Sequence, residues 1–143
     1  MKKGFLLLLS CLLVWACEAN IVEVNETGTI EGSVTIGPLC GNISTVKQSS
    51  NPCGFSDEQI NAIYSKYQVL VDGVVKGNSV TQRLTLAKSG TFTFKVPIGS
   101  FKVKIIMPDG RFYQEGGKVS EKEVIVNKNM VTKVEIYVNT GIK

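Results

Sequence analysis

"SGTFTFKVPIGSFKVKI", residues 89 to 105, carries the clearest periodicity in the chain. Phe92, Phe94 and Val96 alternate with Thr91, Thr93 and Lys95; beyond a short break, Phe101, Val103 and Ile105 alternate with Lys102 and Lys104. Successive side chains of a strand point to opposite faces, so each half reads as a strand with one buried and one wet face. Pro97 sets φ for the first central position of a turn and Gly99 suits its last position. The pattern predicts a hairpin in which Val96 opposes Gly99, Phe94 opposes Phe101 and Thr93 opposes Lys102. Lys95, Lys102 and Lys104 then form one outward basic patch. Such a patch can face anionic headgroups or wall polymers, although strand lysines more often discourage edge-to-edge pairing.

The same period extends in both directions. In residues 28–36, Ile30, Gly32, Val34 and Ile36 share one parity and Glu31, Ser33 and Thr35 the other. Further apolar runs occupy 67–71, 80–86, 123–126 and 130–138. Seven short strands separated by turn signals predict an all-β sandwich. One helix interrupts them. Ser56 and Gln59 have the spacing of a capping box, Phe55 and Ile60 that of a hydrophobic staple, and Asp57 and Glu58 complement the helix dipole. The helix is expected from about residue 57 to 64 or 65, leading into the strand at Tyr67.

The N-terminus reads as an export signal. Lys2 and Lys3 precede an almost wholly apolar run over residues 5–17, and the next charge is Glu18. The run is shorter than the roughly 18 to 20 apolar residues that span a bilayer, and its layout is that of a secretory leader. Val14-Trp15-Ala16-Cys17 resembles the bacterial lipobox, in which the cysteine is lipidated and becomes the new N-terminus. Leu8-Leu9-Ser10-Cys11 fits the pattern with too short an apolar run before it. Ordinary cleavage after Ala19 is the alternative. The expected division is a signal peptide over 1–16, a tether over 17–27 that begins at lipidated Cys17, and one domain over 28–143.

Composition excludes several function classes. The formal charge of +4 falls to +2 once Lys2 and Lys3 leave with the signal peptide. Acidic and basic residues are interspersed with no dense basic tract, so no nucleic-acid partner is expected. There is no histidine in the chain. Ser-His and Cys-His nucleophiles are thereby excluded, and Cys40 and Cys53 alone do not complete a tetrahedral zinc site. An even pair of thiols in an oxidising compartment reads instead as a disulfide.

"GSVTIGPLC", then "NPC", "YSKYQVLV", "GTFTFKVPIGSFKVKI" and "VEIYVNTGIK" occur in an order that resembles small bacterial proteins with a carboxypeptidase-regulatory-like domain of prealbumin-like fold. The resemblance covers residues 28 to 143. Pro97-Ile98-Gly99 stands where that family has adjacent Pro-Gly, Phe101 where it has Tyr, and Asn139 and Lys143 where it has Asp and Arg. The resemblance implies a Greek-key seven-stranded sandwich, export, and a bridge between Cys40 and Cys53. It carries no catalytic residues. The transthyretin-like hydrolases of similar fold depend on histidines that this chain lacks.

Remaining candidates for chemistry are few. Glu121 and Glu123 share a strand face and read as a solvated edge. A Lys-Asn isopeptide bond to Asn139 has no lysine in the first strand to form it. Arg111, Phe112 and Tyr113, in a turn-rich stretch between Asp109-Gly110 and Gly116-Gly117, have the side chains to stack on a sugar or peptide. In the other reading Phe112 or Tyr113 plugs the end of the sandwich and Arg111 stays solvated. The expected function is a non-enzymatic cell-envelope lipoprotein, without metal or cofactor, that serves as a binding or structural module. Its expected partners are the membrane, through the anchor, and an envelope protein or glycan. The alternative is a secreted accessory subunit that stabilises or positions an enzyme or transporter.

Overall fold

The structure, a computed structural model, describes residues 26–41 and 53–142. The expected signal peptide, Cys17 and the tether as far as residue 25 lie outside the described residues. Glu26 is the first described residue, and Thr27 already belongs to a strand.

Among the described residues, nine strands and one helix follow in the order β1 (Thr27–Gly37), α1 (Asp57–Tyr64), β2 (Gln68–Val75), β3 (Asn78–Thr85), β4 (Thr91–Pro97), β5 (Gly99–Ile106), β6 (Gln114–Glu115), β7 (Lys118–Val119), β8 (Glu121–Val126) and β9 (Val131–Asn139). Seven of them build two sheets, β4-β1-β9 and β3-β2-β5-β8, and β6 pairs with β7 in a separate ribbon. The molecule is an all-β sandwich. Ile30, Val34, Phe94 and Val138 from one sheet meet Val69, Val71, Phe101 and Val103 from the other in a single apolar core. The helix has its capping box in place, with the Gln59 amide donating to Ser56 Oγ and the Ser56 amide to Gln59 Oε1. Ile63 and Tyr64 pack it onto the core.

The structure corrects the expected hairpin. β4 pairs with β1, with Phe94 opposite Ile30, whereas β5 pairs with β2 and β8, with Phe101 opposite Gly73 and Val124. The chain therefore changes sheets at Pro97-Ile98-Gly99. Gly99 takes φ +151°, which L side chains rarely adopt, and so frees the chain to leave the plane of β4. Alternation fixes which side of a strand is buried and not which strand lies beside it. Two inward faces stacked across a core satisfy it as well as two adjacent strands do. The single basic patch dissolves with the hairpin, because Lys95 lies on one sheet and Lys102 and Lys104 on the other.

A side-chain hydrogen bond clasps each open flank of the sandwich. Gln82 Nε2 on β3 donates to the Lys95 carbonyl on β4, and Thr132 Oγ1 on β9 donates to the Ile125 carbonyl on β8. The ends of the sandwich differ. At one pole the chain comes in at Glu26 and makes three tight connections, through Lys76-Gly77, Ile98 and residues 127–130. At the other lie residues 38–41 and 53–56, α1, and residues 86–90, 107–120 and 140–142. Cys40 and Cys53 form a disulfide there, with Cα atoms 5.8 Å apart.

Candidate functional site

At the far pole, the turn Met107–Arg111 is closed by the Met107 amide donating to the Arg111 carbonyl at 2.7 Å. The three residues singled out there line one shallow depression, each in a different environment. Arg111 is solvated and turned back onto Asp109, Nη2 to Oδ2 2.6 Å. That pair holds the Asp109 carboxyl below its ordinary range and Arg111 above its own. Phe112 is half-exposed, with Lys104 Nζ 5.5 Å from its ring centroid. Tyr113 is buried and closes the core, and its hydroxyl accepts from the Asn139 amide at 3.1 Å. Met107, Asp109, Gln114 and Asn139 complete a shallow depression of about 230 Å³ around the three. Gly116 and Gly117, at the end of this turn-rich stretch, both take positive φ in the two-residue turn between β6 and β7. This is what a tight hairpin of primed type requires.

A larger feature lies on the outer face of the four-stranded sheet. There β2, β5 and β8 set charged residues side by side. Asp72 is opposite Lys102 and Lys102 opposite Glu123; one row along, Leu70 is opposite Lys104 and Lys104 opposite Glu121. Lys104 Nζ lies 3.1 Å from Asp72 Oδ1 and 3.8 Å from Glu121, while Lys102 Nζ lies 2.5 Å from Glu121 and 3.9 Å from Glu123. The hydrogen bond between Lys102 and Glu121 lowers the carboxyl below its ordinary value and raises the ammonium above its own. The Lys104 ammonium thus sits against both oxygens of Asp72, donating to Oδ2 at 3.4 Å and lying beside buried Oδ1. The face is hollowed into a groove of about 790 Å³, lined also by Ser79, Thr81 and Ser100, with exposed Val74 and Ile125 at one end. Such a surface offers donors, acceptors and apolar contact together, the mixture found in binding clefts.

No protein-family model matches the chain, and no curated protein matches its sequence. Solved structures do match. A leucine-rich repeat protein from Bacteroides thetaiotaomicron VPI-5482 is 13% identical with a TM-score of 0.40; GBS52, the minor pilin of Streptococcus agalactiae, is 14% identical with 0.41; and a DUF3823 family protein from Parabacteroides merdae ATCC 43184 is 16% identical with 0.39. The matches cover 80%, 80% and 79% of this chain. They cover 12%, 44% and 46% of those chains, so the chain spans less than half the length of each.

The groove was not legible as a site in the sequence. Glu121 and Glu123 were visible as a pair, and they do share a face, but the lysines between them and Asp72 belong to another strand. The missing signal was the pairing of β5 with both β2 and β8. Among the described residues, no three His, Cys, Asp or Glu side chains are grouped as metal ligands, and no helix is long and apolar enough to cross a membrane.

Proposed function

We propose that this protein is a non-enzymatic cell-envelope lipoprotein of carboxypeptidase-regulatory-like type, anchored through Cys17, whose sandwich presents the outer face of the four-stranded sheet as a binding surface. The groove carries this reading. It holds Lys102, Lys104, Asp72, Glu121 and Glu123 beside the exposed aliphatic side chains of Val74 and Ile125. The disulfide supports an extracytoplasmic setting, because such bonds persist in oxidising compartments. The apolar leader ending at Cys17 supports export and acylation. An envelope protein or glycan, with polar groups to match the paired charges, is the kind of partner this surface suits.

Two measurements test the reading. Cys17→Ala abolishes acyl labelling and detergent-phase partitioning, whereas Cys11→Ala leaves both intact; acylation that survives Cys17→Ala overturns the anchor. Ser100→Arg fills the apolar end of the groove, beside Val74 and Ile125, from an exposed position. A component of envelope extract that the wild type retains is lost from this variant while its β-sheet circular dichroism is unchanged. Equal retention by both proteins removes the groove from the binding surface.

A further inference from the structure

The pole at which the chain comes in is apolar in an unusual way for a set of tight turns. Ile98 forms the tip of the β4–β5 connection, and its amide donates to the Glu26 carbonyl. Met130 and Val131 end the β8–β9 connection, where the Met130 carbonyl accepts from the Thr29 amide. Ile125, opposite Ser100, and Val74 stand on the neighbouring sheet at the same end. Their side chains are open to solvent, Met130 at 58% and Ile125 at 66%. Lys76, Lys95 and Lys128 are also placed at this end, with Glu26 bonded to Lys128 at 2.6 Å. Turn tips in water are ordinarily polar, and aliphatic side chains gathered at one end, at the tips and on the outer faces of both sheets, with lysines beside them, are the composition of a surface that rests in a lipid interface.

The position of this cluster identifies what covers it. From Cys17 to Glu26 the chain can span at most roughly 30 Å, so an acyl anchor on Cys17 holds this pole within short reach of the bilayer. We propose that the Ile98, Ile125, Met130 and Val131 pole is a membrane-contact surface, which seats its aliphatic side chains at the headgroup boundary and its lysines among anionic headgroups, and so fixes the orientation of the domain on the membrane. The proposal rests on acylation of Cys17, as read above. It adds that the domain lies on the bilayer instead of swinging free on its tether. The apolar end of the groove then opens beside the membrane.

The single tryptophan of the chain, Trp15, lies in the leader, so the processed protein accepts a tryptophan reporter without background. Full-length lipoprotein carrying Met130→Trp, and separately Ile125→Trp in case the first alters the turn, is processed in cells and reconstituted into vesicles of phosphatidylcholine and phosphatidylglycerol. The expected result is a blue-shifted emission quenched by lipids brominated in the upper acyl chain, weakened when phosphatidylglycerol is omitted. Phe112→Trp, at the opposite pole, gives emission that brominated lipid does not quench. The mass of the N-terminal peptide is measured on the same samples. An acylated protein in which neither near-pole reporter is quenched, or in which Phe112→Trp is the quenched one, overturns the membrane-contact surface and leaves the anchor standing. An unacylated N-terminus overturns both.

Discussion

Gly32 shows how much one residue can decide. It occupies an inward position of β1 between Ile30 and Val34, and a Cβ built there would stand 2.4 Å from both the Phe92 ring and the Val134 carbonyl oxygen. The ring can move, but the carbonyl belongs to the β1–β9 ladder and cannot give without bending it. Gly32→Ala is therefore expected to destabilise the domain by about 1 to 3 kcal/mol, the usual cost of overpacking, read as a lower denaturant midpoint with an unchanged slope. The sequence showed that Gly32 shares the buried parity, but not that a phenylalanine from β4 fills its space, since that depends on which strand lies alongside. A second residue-scale expectation concerns Glu121. Its folded value is lowered by Lys102, so the pair contributes above the unfolded-state glutamate value, and that contribution is lost as pH falls through the lowered folded value. At the alkaline end, the raised value of Lys102 keeps its share below the unfolded-state lysine value and loses it as pH rises through the folded one. An NMR titration of the Glu121 side-chain carboxyl is expected to give a midpoint below the ordinary glutamate range in the wild type and one moved upward in Lys102→Met. An unmoved midpoint assigns the lowering to some other group.

Elements were the most legible level. Strand positions follow from alternation because each strand has one wet face, and the helix follows from Ser56, Gln59 and the acidic first turn, all local signals that act before any tertiary contact forms. Pairing was the level that failed. The residues from Thr91 to Ile105 contain the right two strands, and the turn chemistry of Pro97 and Gly99 reads as easily for a crossing between sheets as for a hairpin. The β6–β7 ribbon escaped because two residues per strand leave no period to detect. Between β1 and α1, Cys40 and Cys53, 13 residues apart, are joined by the disulfide. The start of this connection is tied to the end of β9, where the Thr140 hydroxyl donates to the Pro38 carbonyl and the Thr140 amide to the Gly37 carbonyl. Replacing both cysteines by serine is expected to lower stability by about 2 to 4 kcal/mol, with the sandwich still formed. Equilibrium denaturation of the oxidised wild type against the double variant measures the loss, and equal midpoints would show that the bridge adds nothing to stability.

At the scale of the whole molecule, the two poles divide the labour that the fold allows. Tight turns and the incoming chain gather at one, long connections and the disulfide at the other, and the groove runs along the outer face of the four-stranded sheet between them. This polarity follows from topology: β1 and β9 run parallel, so the domain begins at one end and finishes at the other. That arrangement also has a mechanical side. Tension applied between an N-terminal anchor and the C-terminus pulls β1 and β9 in opposite directions along their own axes, across a register from Thr29–Val131 to Gly37–Asn139. The inter-strand bonds are then loaded in shear and must yield together, instead of opening one at a time from an end. In single-molecule stretching, the domain held by its two termini is expected to withstand a higher force than when it is held across the β2–β3 hairpin, where the same kind of bonds unzip in sequence. A protein tethered to a surface by its first strand and loaded through its last would thus meet force along its most resistant direction.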